Sequence, residues 1–251
     1  MKFLKTLEFR WNSMSIKNRR MRVNSFHSLT THWFLTISKF LLIVAVPFLI
    51  FLLMLNFYGF DDIFYKEKFL EYGVQQNVPE AMSLHKEVIN FITGKAKELP
   101  AGFNEKEKQH LFDVKNAVSF FTIILYILII GFILLLVIST FILKVNNYVV
   151  NFIGKILFFG GFLTLALAAI LLFIISSDFP LAFESFHGLF FKEGTYTFDP
   201  AKEIIVNIYP EQLFMELGIR ISKGVIFTSI TSVLFGAILL FKSKSKKNKN
   251  R

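Results

Sequence analysis

None of the 251 residues is cysteine. That removes disulfides, thiolate nucleophiles and thiolate metal ligands together, and leaves His, Ser, Tyr, Lys and carboxylates for any chemistry. Acids are also scarce, with 18 Asp and Glu against 28 Lys and Arg. In a soluble protein that excess would suggest nucleic acid, but the bases gather at the two chain ends, without the further pattern of a nucleic-acid reader. Their expected roles are membrane topology and contact with anionic head groups, and nucleic acid is not an expected partner. Charge is almost missing from the long apolar runs, where the ion path of a transporter would need it. No heptad, solenoid or collagen period is present.

Apolar residues are abundant. Hydrophobic residues make up 54% of the chain, 33 of them Phe, which is too apolar for a soluble domain and reads as an integral membrane protein. Four runs are long enough to cross a hydrocarbon core of roughly 30 Å, at about 34–57, 117–143, 148–176 and 224–241. Pro47 should kink the first, which lacks a cleavage site and should stay as an anchor. Before it lies a basic arm, 1–33, and after the last run a basic tail, 242–251, with six bases and no acid. Lys144 and Lys155 flank the short link between the second and third runs. All these bases fall on one side if both termini are cytoplasmic, as the positive-inside rule requires. The expected fold is mainly α: an integral membrane four-helix bundle at the cytoplasmic (plasma) membrane, with a small extracytoplasmic cap formed by two outer loops, 58–116 and 177–223.

The first loop carries ten acids and eight bases, too much charge to bury. Helices are expected over Asp61–Tyr72 and Pro79–Gly94, the second with an apolar stripe of Leu84, Val88, Phe91 and Ile92 beside His85. Asn104 and Glu107 form a capping pair that opens a helix running unbroken to Leu143. The second loop contains FESFHGLFF at 183–191, a turn at Lys192–Gly194, a short strand at Thr195–Phe198, a segment at Ala201–Asn207, and a helix started by Tyr209, Pro210 and Glu211.

Of five histidines, His27 and His32 sit in or beside the basic arm with no acidic partner and receive no role. His110 enters the second span and His187 follows the third by about ten residues. Since a link of a few residues makes those spans antiparallel neighbours, their outer ends lie close and the two histidines can meet. Each alone reads more readily as an interfacial residue, amphipathic and at home between lipid and water. Asp113, one turn from His110, and Glu184, one turn before His187, add carboxylates of the kind that fix the tautomer of a general base.

The segment Phe103–Lys115, FNEKEKQHLFDVK, with Phe186–Phe191, Phe198–Pro200 and Tyr209–Glu211, resembles the motifs of the lipoprotein intramolecular transacylase family over about residues 35–241. The resemblance implies an enzyme of the outer membrane face that moves the sn-2 acyl chain of a lipoprotein's diacylglyceryl group to the amino group of its own N-terminal Cys. It maps the functional histidines onto His110 and His187 and sets Glu107 and Asp113 at further polar motif positions. Lipoprotein or lipid is then the substrate, and the reaction needs no metal or cofactor. Tyr196, Tyr209 or a backbone N–H would stabilise the oxyanion. Two other readings compete. One is a non-catalytic membrane assembly or lipoprotein-binding protein; the other is a metal site drawn from His110, Asp113, Glu184 and His187, which no recognised ligand spacing supports.

Overall fold

A computed structural model describes residues 2–249 apart from Pro100 and Glu193, with side chains from residue 29 to residue 245. The side chains of most of the basic arm, His27 included, and of the end of the basic tail lie outside the described residues, as does Glu193 of the expected turn. Nine helices follow one another among the described residues: α1 (Lys2–Gly59), α2 (Asp62–Glu71), α3 (Val74–Asn77), α4 (Ala81–Ile92), α5 (Glu105–Leu143), α6 (Asn146–Ser177), α7 (Phe179–Phe190), α8 (Ile205–Ile208) and α9 (Glu211–Lys249). Four helical stretches among them are long and apolar enough to cross a membrane: Leu29–Gly59, Glu105–Leu143, Asn146–Ser177 and Glu211–Ser245. The helix of α1 runs through Pro47 without interruption.

The bundle is held by close approach, because apolar side chains gain little from leaving lipid for protein and small residues let backbones touch. The tightest pair is α6 with α9. A Cβ on Gly236 would stand 2.5 Å from the backbone N of Phe158, and one on Gly161 would stand 3.0 Å from the Ser229 carbonyl. Across the same seam the Ser232 hydroxyl donates to the Leu157 carbonyl at 3.0 Å. α1 packs on α6 where Gly160 accommodates Val46. α5 leans chiefly on α1 and separates from α6 soon after their turn at Lys144 and Val145, so most of its apolar surface faces outward.

Both loops share one apolar core, which makes the cap a single body. Phe69 of α2, Ala81 of α4, Ile208 of α8 and Leu213 of α9 are fully buried in it, and Phe103 and Leu111 bring in the start of α5. Ion pairs fasten its edge to α9: Arg220 bonds Asp61 at 2.6 Å, and Lys68 bridges Glu71 and Glu216. Residues 195–198 do not form the expected strand. A lone strand has no ladder partner, and here the backbone is tied by side chains instead: Lys106 donates to the Thr197 carbonyl, and the Thr195 hydroxyl to the Lys192 carbonyl. Of the segment Ala201–Asn207 only the end is helical, where α8 begins. Asp199 caps the Ala201 N–H at 3.0 Å and the Asn207 amide donates to the carbonyls of Pro200 and Glu203, so local side chains compete with helical bonding.

Candidate active site

At about 1.5 Å per residue α5 is about 58 Å long, nearly twice the hydrocarbon thickness, so its first turns belong to the cap. The capping pair forms in both directions: the Asn104 side chain accepts the Glu107 N–H at 3.0 Å and Glu107 accepts the Asn104 N–H at 2.7 Å. The second Glu107 oxygen accepts the N–H of Ile205 at 2.8 Å. One buried carboxylate therefore fixes the start of α5 and the start of α8 together. His110 follows one turn later. On the other side, Asp178 caps the Leu181 N–H at 3.1 Å and Pro180 occupies the first turn, which starts α7 directly after α6. Leu181, Phe186, Leu189 and Phe190 of α7 face outward, the pattern of a helix lying at a membrane surface, while His187 turns inward.

The two imidazoles stack with centroids 6.1 Å apart and planes 22° from parallel. Both are buried. Aromatic rings enclose them: Phe191 and Phe198 stand 5.2 and 5.3 Å from His110, Phe183 and Tyr196 stand 4.1 and 5.2 Å from His187. His187 Nδ1 donates to the Phe183 carbonyl at 2.7 Å, which places the proton on Nδ1 and leaves Nε2 with the basic lone pair. Burial pushes the His187 pKa below its ordinary 6.5, partly offset by that carbonyl, so the ring is neutral at pH 7. His110 Nδ1 is buried with no hydrogen-bond partner among the described residues. An orphaned buried polar atom costs roughly 1–3 kcal/mol, and is expected where a ligand supplies the missing bond.

The expected carboxylate companions are elsewhere. Asp113 accepts from Gln109 at 3.2 Å, and Glu184 is exposed, while His187 uses a backbone carbonyl one turn back. The reason is helical direction: Phe183, four residues before His187, lies directly beneath it, and a buried ring takes the buried acceptor over a solvated one. Tyr209 is also held away from the pair. Its hydroxyl shares a 3.0 Å hydrogen bond with His85 Nδ1, and Phe214 and Phe183 stand between it and His187. Of the expected hydroxyls, Tyr196 alone lies against the histidines. Among the described residues no three His, Asp or Glu side chains are grouped to hold a metal ion. Two further residues shape the site without having stood out in the sequence, Lys106 and Glu203. Lys106 sits 5.0 Å over the Phe198 ring and 3.7 Å from Glu203, and thereby clamps the loop that brings Tyr196 and Phe198 to the histidines. The i, i+4 placement of Lys106 and His110 is the one local signal that points to it.

His85 forms a second buried polar centre inside the cap, stacked 4.1 Å from Tyr65, with Nε2 3.8 Å from Asp62. Burial first, and Lys86 second, lower its pKa to about 4, against a raising influence from Asp62. The unfolded chain binds that proton near 6.5, so the folded state loses stability as pH falls below 6.5, and the loss levels off near 4. The full difference amounts to about 3 kcal/mol. Cap stability, followed by limited proteolysis between pH 7 and 4, should fall over this window and fall less in His85→Phe, where His110 and His187, also lowered by burial, keep the remainder; an equal decline in the variant would place the titrating group elsewhere.

A family model for the lipoprotein intramolecular transacylase Lit matches residues 33–214. The fold is similar to solved structures of the membrane integral lipoprotein intramolecular transacylase Lit from Bacillus cereus. One has a TM-score of 0.73 at 21% identity, over 84% of this chain and 98% of that one. Two further structures carry a single histidine replaced by arginine or by alanine; their TM-scores are 0.71 and 0.69 at 19% and 20% identity, over 89% and 88% of this chain and 99% and 98% of theirs. An uncharacterized protein of Aquifex aeolicus (strain VF5) is 27% identical over 139 residues, 55% of each chain, so the chain spans about half the length of that curated relative. The solved structures share the fold, and the family match takes in three of the spans, most of the cap and both stacked histidines: the chain belongs to the lipoprotein intramolecular transacylase Lit family.

Proposed function

We propose that the protein is a membrane acyltransferase that moves the sn-2 acyl chain of a diacylglyceryl lipoprotein to the α-amino group of the same molecule's N-terminal Cys, leaving a lyso-form lipoprotein. The carrying observation is the stacked, buried pair of His110 and His187 in a member of this family, one ring with a fixed tautomer and the other with an orphaned nitrogen. His187 Nε2 takes a proton from the attacking amine. The nitrogen bonds to the ester carbonyl carbon, and the resulting oxyanion is met by Tyr196 or a backbone N–H. The bond to the sn-2 oxygen then breaks, and that oxygen leaves with a proton from the histidine pair. Ester becomes amide plus a free hydroxyl, with no water, metal or cofactor consumed. Since donor and acceptor belong to one molecule, the pocket gains from proximity, and its aromatic walls keep competing water out.

In this reading the cap lies on the extracytoplasmic face of the plasma membrane and both termini are cytoplasmic. Supporting it, only Lys192 and Lys202 are basic between residues 178 and 218, while Lys144 and Lys155 flank the opposite turn. The transfer leaves total mass unchanged, so the test is tandem mass spectrometry of lipoprotein N-termini from cells with and without the protein. One acyl chain should shift from the glyceryl group to the amino group when it is present. Unchanged acyl positions would overturn the reading and favour a lipoprotein-binding role.

A further inference from the structure

A cavity of about 890 Å³ lies on a side of α5 away from the histidine pair. Its roof is α4 and the residues just after it, and its walls are the ends of α1 and α5 that adjoin the cap. Lys86 and Lys95 line the roof, and neither forms an ion pair among the described residues, unlike Lys68, Lys106, Lys108 and Lys202. Asp62 is the one acid among the described residues of the lining, so the cavity carries a net positive charge. Along the α5 wall the hydroxyls of Ser119 and Thr122 come first, then Ile123 and Tyr126, while Asn90 of α4 and Asn56 of α1 add amides to the lining. From Ser119 to Tyr126 the wall descends about 10 Å along the helix axis.

The hydroxyls carry a second observation. Thr36, Thr140, Ser177 and Thr231, also on spanning helices, each donate to a carbonyl of their own helix, as expected where lipid offers no partner. Ser119 and Thr122 make no such bond among the described residues, although they stand within an apolar span. Cations in the α4 roof, hydroxyls at the near end of the α5 wall and apolar side chains farther along it match the phosphodiester, glycerol ester and acyl chain of a phospholipid. The volume lies within the range of small-molecule sites.

We propose that this cavity binds an anionic glycerophospholipid of the bilayer, separately from the lipid on which the histidine pair acts. Lys86 and Lys95 meet the phosphodiester, Ser119 and Thr122 bond the glycerol esters, and the acyl chains descend along Ile123 and Tyr126. Such a lipid bridges α1, α4 and α5, and so steadies the one spanning helix that otherwise leans mainly on α1.

The full chain, purified in detergent, is titrated with dioleoyl phosphatidylglycerol, dioleoyl phosphatidylcholine and inorganic phosphate, and binding is followed by native mass spectrometry. The anionic lipid should bind more tightly than the zwitterionic one. Lys86→Ala with Lys95→Ala should weaken it about tenfold or more, since each base near a membrane surface contributes substantially to anionic-lipid affinity. Thr122→Leu should weaken it by roughly threefold to tenfold, the range of one lost hydrogen bond. Lys86, Lys95 and Thr122 line the cavity and none of them is buried, and thermal melting checks that every variant folds. His110→Ala should bind the lipid as the unaltered protein does. Equal affinity in folded variants would overturn the proposal. So would inorganic phosphate binding as tightly as the lipid, which would mark a free-anion site, or loss of lipid binding in His110→Ala, which would put the lipid in the histidine pocket.

Discussion

Replacing either His110 or His187 with alanine should reduce acyl transfer by roughly 10²- to 10⁴-fold in purified protein, and replacing both should cost little more than one. The near-equality follows from shared work: a proton taken from the amine must be handed to the departing glycerol oxygen, and half of that circuit carries no flux. Initial rates on a synthetic diacylated lipopeptide measure the effect, with circular dichroism and melting to confirm that the cap still folds. Transfer persisting in both single variants would remove the histidines from the chemistry. The pH profile gives a second check. With the His187 pKa lowered by burial, the neutral base persists down to pH 6.5. Protonation of the Nε2 lone pair should therefore lower the rate only below pH 6.5, beneath the fall near pH 8 that the attacking α-amino group sets by its own titration. An acid limb that steepens to two protons already above pH 7 would contradict the buried, neutral state.

Glu107→Leu should destabilise the cap by about 3 kcal/mol, because two backbone N–H groups, the buried one of Ile205 and the partly buried one of Asn104, lose their carboxylate acceptor at once. Activity should fall with stability, since His110 lies one turn beyond this cap. Glu107→Gln keeps an oxygen and should preserve one of the two bonds, with a smaller loss of melting temperature and substantial remaining activity. This separates a positioning role from a catalytic one. If Glu107→Gln melts like the unaltered protein yet loses transfer as completely as His110→Ala, the carboxylate takes part in the reaction.

The two predictions draw on different depths of sequence signal. Asn104 and Glu107 are three apart, and the capping box they form is local, so the sequence alone makes it legible. The further bond of the carboxylate, to Ile205, spans 98 residues and has no local signature. For the histidine pair, the sequence offers a short turn that should make α5 and α6 neighbours throughout. The histidines do stack, but α5 leaves α6 beyond the turn and packs on α1. They meet because α7 turns back at Asp178 and the shared cap core draws both loops together. The companions of the histidines differ from expectation for a related reason. Asp113 and Glu184 are at helical spacing, yet spacing alone does not separate a solvated acid from a buried carbonyl such as that of Phe183.

Composition and periodicity alone determined a mainly helical membrane protein with four spans, the capped start of α5, and histidines at the ends of spans, because those properties reside in runs of neighbouring residues. The tertiary structure decided which side chains face one another: that Tyr209 pairs with His85 and Tyr196 with His187, that Lys106 and Glu203 clamp the loop, and that a lysine-roofed cavity lies apart from the histidines. All but the contact of Tyr196 with His187 depend on residues far apart in the chain. Such contacts are set by how the two loops bury a common core, and no local pattern carries that information.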